Sequence, residues 1–120
     1  MVSFPVRKTI SLEKCNQIGY TYIVVISFKD KETEDIYDGT RSKGALRRLP
    51  VDLWKLAYRK FYALDHAVSL RDLASPPNNK LEALKSDRKG QHSIRINDKY
   101  RICFDWTPLG PEAVEITDYH

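Results

Sequence analysis

Cysteine is scarce: the 120 residues hold two, Cys15 and Cys103, in no CxxC pair and in no cluster with histidine. That pattern argues against a disulfide framework and against a structural zinc site. Two lone thiols without a secretory signal suit the reducing cytoplasm, the location expected for this chain. Arg7 and Lys8 imitate the basic start of a signal peptide, but Thr9–Gly19 is too polar to be its apolar segment. Long apolar runs are missing as well. The longest, Tyr22–Ile26, is strand-sized, whereas a membrane helix needs about 20 apolar residues, so no membrane partner is expected. There is no internal repeat, no low-complexity segment, no glycine loop to cradle a phosphate, no carboxylate cluster for magnesium and no evident Ser/His/Asp arrangement. No cofactor and no metal are expected.

What is present is ordinary globular composition, 42% hydrophobic and 30% charged, at a length that fits one domain. The distribution of the +4 net charge says more than its size. Asp30–Asp38 holds five acids and one lysine, Arg41–Lys60 seven bases and one acid, and Lys80–Arg101 seven bases and three acids. A patterned basic surface suits a polyanionic partner. On charge alone, a solvated mixed surface is the preferred reading.

Thr21–Phe28, rich in β-branched and aromatic residues, predicts a strand. Asp30–Tyr37 predicts a short helix with acids near its start and Gly39 as its stop. The strongest helix signal follows Pro50: Leu53, Ala57, Phe61, Leu64 and Val68 recur at three- and four-residue spacing, with Leu56 beside them. Leu70–Leu73 adds a further turn, and Ser75-Pro-Pro-Asn-Asn79 ends helical structure. The period then becomes two. Leu81–Leu84 is a short strand, Ser86–Gly90 a turn, His92–Asn97 and Tyr100–Trp106 a hairpin around Asn97-Asp98, Thr107–Pro111 a loop and Ala113–Tyr119 a last strand. Helices followed by strands predict an α+β fold, with helices packed on one face of an antiparallel sheet.

Strand parity sorts the side chains. Ile94 and Ile96, then Ile102, Phe104 and Trp106, then Val114 and Ile116 share the core face. The other face carries Ser93 and Arg95, Arg101 and Cys103, Thr117 and Tyr119. Two arginines and a phenol thus project from a sheet face expected to be uncovered. His92 shares parity with Ile94 and is read as a partly buried structural histidine. His66 is read as surface, and Trp54 and Trp106 as core or rim.

Leu73–Ile96 (LASPPNNKLEALKSDRKGQHSIRI), Tyr100–Trp106 (YRICFDW) and Val114–His120 (VEITDYH) resemble the HigB branch of the RelE superfamily, and Ser27–Gly39 (SFKDKETEDIYDG) resembles the start of such proteins. The resemblance covers about residues 24 to 120 and is specific, because several short motifs occur in order with the right ending. Met1–Ile23 has no counterpart and is treated as an extension of a single 1–120 domain. The resemblance implies a RelE-like microbial RNase fold, with N-terminal helices on a twisted antiparallel sheet. It implies an mRNA endonuclease toxin that cuts in the ribosomal A site. It also implies a HigA-like helix-turn-helix antitoxin as partner, with operator DNA reached only through that antitoxin.

Metal-free RNA cleavage uses the RNA's own 2′-OH as nucleophile, helped by a base, an acid and cations on the phosphate. By resemblance, Glu82 stands where relatives carry a glutamate proposed as base, although some HigB-like members have histidine there. The alternative is a surface carboxylate paired with Lys80 or Lys85. Arg101 matches the family's phosphate-binding arginine and suits two-point clamping of a phosphate, against a surface salt bridge with Glu115. Arg95 shares its face and is a second phosphate candidate. Lys85 and Arg88 flank a turn and either hold RNA backbone or form a plain solvated face. Tyr119 and His120 match the family's ending: histidine is the natural general acid near neutrality, and a tyrosine can stack on a base or bond a phosphate. Parity puts Tyr119 on the arginine face and His120 opposite unless the chain turns.

Two other functions stay open on the residues alone. ParE-type relatives share the fold but poison DNA gyrase, and generally lack the terminal tyrosine and histidine. A non-catalytic nucleic-acid-binding module would account for the basic patches by themselves.

Overall fold

The computed structural model describes residue 25 and residues 27–118. Helix α1, Lys31–Asp38, is started by Asp30, whose carboxylate accepts from the Thr33 amide at 2.8 Å, and stopped by Gly39 in the left-handed conformation (φ 80°). Both ends match the expected helix, because an acidic cap and a terminal glycine satisfy the orphan groups there. Helix α2, Lys43–Arg48, was not anticipated; Ser42 caps it by accepting from the Ala45 amide. Arg48 ties α2 to its surroundings, donating to Asp30 and to the Ile116 carbonyl, both at 2.9 Å.

After Pro50 the chain makes a 3₁₀ turn, Val51–Leu53, and then helix α3, Trp54–His66. Ala57, Phe61 and Leu64 of the expected stripe are buried, with Leu53 and Leu56 packed at its margin. Val68 departs from it: the helix ends at His66, Ala67 turns to extended geometry, and Val68 is 72% exposed. Trp54 joins the stripe instead, buried with its indole N–H donating to the Leu49 carbonyl at 2.8 Å. Leu70–Ala74 is a further 3₁₀ turn. The prolines do not end helical structure outright, because Pro77–Asn79 forms one more 3₁₀ turn, where a missing proline N–H costs nothing.

Four strands follow: β1 Glu82–Ala83, β2 Gln91–Arg95, β3 Tyr100–Thr107 and β4 Gly110–Asp118. They form one antiparallel sheet in sequence order. Asn97 shapes the β2–β3 turn by accepting from the Lys99 and Tyr100 amides. The expected loop Thr107–Pro111 is tighter than read. Only Pro108 and Leu109 lie between the strands, and Thr107 Oγ1 accepts from the Leu109 amide and donates to the Gly110 carbonyl. Strand β4 therefore starts before Ala113, and a register irregularity near Ala113 (φ 52°) absorbs the added length.

The predicted strand Thr21–Phe28 lies largely outside the described residues. Within them, Phe28 bridges Val114 in parallel, and the Lys29 amide donates to the Val114 carbonyl at 2.9 Å.

Among the described residues the parity reading of the core face holds. Ile94 faces Ile102, Ile102 faces Ile116, and all three are fully buried with Phe104 and Val114. This face packs on the helices in one core with Ile36, Leu49, Phe61 and Leu64. Burying each such side chain contributes roughly 1.5–3 kcal/mol, which is ample reason for the sheet to keep this register. On the opposite side, Ser93 faces Cys103 and Arg95 faces Arg101, which faces Thr117 in turn. No helix among the described residues is long and apolar enough to cross a membrane.

Candidate active site

Arg101 is the second residue of β3, directly opposite Arg95, the last residue of β2. Like charges placed so are unfavourable unless each finds an acid. Each does: Arg101 Nη2 lies 3.0 Å from Glu82 Oε1, and Arg95 pairs with Asp98 of the β2–β3 turn. Arg101 also donates from Nε to Ser93 Oγ at 2.8 Å and from Nη2 to the Lys80 carbonyl at 3.0 Å.

The expectation of an uncovered face is corrected: Ser93, Arg101 and Cys103, all on it, are buried. Arg101 is only 6% exposed, because β1 pairs with β2 and carries Lys80 and Glu82 over the guanidinium. A buried cation has to be paired and hydrogen-bonded, and this one is held by a carboxylate, a hydroxyl and a carbonyl. The side chain of Glu82 is 50% exposed, so the pair is sealed on the arginine side and open on the carboxylate side. Lys80, Glu82, Arg95, Asn97, Asp98 and Arg101 together line an open cleft of about 350 Å³.

Three residues read from the sequence, Glu82, Arg95 and Arg101, thus come together. Glu82 pairs with Arg101 rather than with Lys80 or Lys85. Glu115, the expected alternative partner of Arg101, bonds Arg88 instead at 3.1 Å, with Lys29 at 3.8 Å. Arg88 also donates to Gln91 Oε1 at 3.0 Å and does not line the cleft. Lys85 is exposed at the turn before Ser86–Arg88 and lies off the cleft as well. Tyr119 and His120 fall outside the described residues, directly after Asp118, which pairs with Tyr100.

Sequence reasoning missed Lys80, Asn97 and Asp98 as cleft residues. Asn97-Asp98 was legible as a turn, but its closeness to Arg95 follows from the hairpin register. Lys80 carried no signal of its own; its left-handed backbone (φ 51°) ends the Pro77–Asn79 turn. His92 is half-buried beside Phe104, as expected of a structural histidine, and its Nδ1 has no hydrogen-bond partner among the described residues. His66 is on the surface, stacked on Tyr62. Among the described residues no group of three or more His, Cys, Asp or Glu side chains could hold a metal ion.

Comparison with known proteins agrees with this architecture. Residues 26–120 match the family of HigB-like toxins, described as RelE-like toxins of type II toxin–antitoxin systems. The chain is 36% identical over 83 residues to Toxin HigB-1 of Vibrio cholerae serotype O1, covering 69% of this chain and 84% of that protein. It is 34% identical over 70 residues to an uncharacterized protein of Haemophilus influenzae, covering 58% of this chain and 64% of that one. The solved YoeB dimer of Staphylococcus aureus superposes with a TM-score of 0.54 at 20% identity, over 83% of this chain and 99% of that one, a likeness of fold. Helices on one face of a four-stranded antiparallel sheet, together with a family match spanning both, place this chain among the HigB-like toxins of type II toxin–antitoxin systems.

Proposed function

We propose that the toxin cuts messenger RNA on the ribosome, without a metal, at the Arg101–Glu82 cleft. The observation that carries this reading is the ion pair itself: a buried guanidinium held by Glu82, Ser93 and the Lys80 carbonyl, presented to an open basic cleft next to a half-exposed carboxylate. A phosphate entering the cleft competes with Glu82 for Arg101 and releases the carboxylate beside the reacting group. Glu82 then takes the 2′-OH proton. The 2′-oxygen attacks the adjacent phosphorus, the bond to the 5′-oxygen breaks, and a proton is delivered to that leaving oxygen. The products are a 2′,3′-cyclic phosphate and a 5′-hydroxyl. Arg101 stabilises the charge that grows on the phosphoryl oxygens, where preorganised donors act most strongly.

The acid is assigned to His120, with Tyr119 on the phosphate or a base, on the likeness of the chain's ending to the family. Arg95, on the same face, is a second cation for that phosphate, and Lys85 holds RNA outside the cleft. Arg88 would have to leave Glu115 and Gln91 to do the same. An antitoxin is the partner that membership of a type II system implies. We propose a HigA-like helix-turn-helix protein in that role, a cytoplasmic setting, and one toxin domain over the matched region.

The test is to incubate the purified chain with ribosomes stalled on a defined mRNA and map RNA ends by primer extension, beside free mRNA and an Arg101→Lys variant. The expected result is a cut in the A-site codon, absent from both controls. A folded chain that halts growth and leaves mRNA whole while gyrase is inhibited would overturn the reading.

A further inference from the structure

A second pocket adjoins the cleft, of about 450 Å³, between α3 and the turn Pro77–Asn79. Arg95 lines both cavities, so they share a wall. Arg59 and Lys60 add two more cations, and no carboxylate is among the lining residues. Lys60 is not merely a surface lysine. It is half-buried, and its ammonium donates to Asn79 Oδ1 at 2.5 Å. Asn79 is fully buried, and its Nδ2 donates to the Leu73 and Ser75 carbonyls, which fixes the amide so that its oxygen faces Lys60. An ammonium has three donors, and Asn79 takes one. Burial, and after it the neighbouring Arg59 charge, lowers the Lys60 pKa below the usual lysine value. Among the described residues no carboxylate pairs with this ammonium, a condition an incoming anion relieves. Leu56, Ala63, Pro76 and Ile96 supply an apolar wall on the same pocket.

We propose that this pocket is a nucleotide subsite: it takes the RNA nucleotide next to the one whose phosphate sits at Arg101, with its phosphate on Arg59 and Lys60 and its base against Leu56, Pro76 and Ile96. Asn79 is a positioning residue that holds Lys60. The inference rests on the RNA-cleaving reading above. An acidic segment of a protein would satisfy the cations, but an apolar wall beside a cationic corner, continuous with the cleft, suits a nucleotide better.

The test uses the full chain and a fluorescein-labelled RNA hexanucleotide, 2′-O-methylated throughout so that it cannot be cut. Its affinity is measured by anisotropy over a range of salt. The double variant Arg59→Gln/Lys60→Gln should bind about tenfold more weakly. Its slope of log K against log salt should be shallower by about 0.7, because one phosphate is no longer neutralised. Its thermal melting should stay near that of the parent, and Lys60→Arg should keep most of the affinity. Parent-like affinity and slope in the double variant overturn the subsite. If Arg101→Lys still loses ribosomal cleavage in that case, the cleavage reading stands and only the subsite falls. RNA binding unchanged with a loosened toxin–antitoxin complex would assign the pocket to the antitoxin and also overturn the proposal. No hexanucleotide binding by the parent overturns it too, and A-site cleavage then decides the parent reading separately.

Discussion

Arg101 and Glu82 form an ion pair of unequal burial, with the guanidinium enclosed and the carboxylate half-exposed, their nitrogen and oxygen 3.0 Å apart. That asymmetry means the two residues should respond differently to substitution.

Removing Arg101 strips partners from buried groups. Arg101→Ala leaves Ser93 Oγ and the Lys80 carbonyl without the guanidinium, and should cost about 1–3 kcal/mol of stability. Arg101→Lys keeps the charge but loses the planar fork, so it should melt closer to the parent while still losing cleavage. Urea denaturation of both variants, run beside growth assays, separates loss of fold from loss of function. Equal toxicity of a folded Arg101→Lys chain and the parent would remove Arg101 from the site.

Glu82→Gln preserves shape and removes the proposed base. The amide oxygen can still accept from Arg101, but the buried guanidinium loses a counter-charge, so the substitution should cost about 1–2 kcal/mol of stability. Ribosomal cleavage should fall by about 10²- to 10⁴-fold, the usual worth of a positioned base. A cleavage rate equal to the parent's would make Glu82 only the counter-ion of Arg101.

Asp35 should shape the acid limb of stability. Burial pushes its carboxyl up, but hydrogen bonds from the Ser42 hydroxyl at 2.7 Å and the Lys31 ammonium at 2.9 Å outweigh this, so its pKa lies below the usual aspartate value. A depressed folded pKa gives stability that is present above the unfolded value of about 3.9 and lost as pH falls through the folded one. Urea midpoints followed downward in pH should therefore drop in the acid range, and Asp35→Asn should flatten that drop. An identical acid limb in the two proteins would contradict this.

Gly39 closes α1 at φ 80°, and among the described residues a Cβ there would meet only the Tyr58 hydroxyl, at an ordinary 3.5 Å. Space is not the obstacle, so Gly39→Ala should cost only the left-handed backbone penalty of about 1 kcal/mol. Chemical denaturation measures it; a loss several times larger would mean that the helix end does more than turn the chain.

Much of this molecule was legible in the residues. The alternation of Ile94, Ile96, Ile102, Phe104, Val114 and Ile116 settled which sheet face is core, because a strand's side chains have a strict period of two and a one-residue slip would expose the whole set. Asp30 and Gly39 marked both ends of α1 because capping is local chemistry. Helix α2 escaped notice because six residues, Lys43–Arg48, show little periodicity and are held by Ser42 and by Arg48 reaching Ile116. Val68 misled because an apolar residue in phase with a helix says nothing of where that helix ends.

The site divides along the same line. The residue types of Glu82, Arg95 and Arg101, and the parity that sets both arginines on one face, belong to the sequence. The choice of partners does not: Glu82 had several cations within reach along the chain, and Glu115 was as good a match for Arg101 on paper. Tertiary structure decided it, because pairing Glu82 with Ser93 across β1 and β2 lays a carboxylate and the Lys80 carbonyl over Arg101, and a cation with so little water must be satisfied by whatever the fold brings to it.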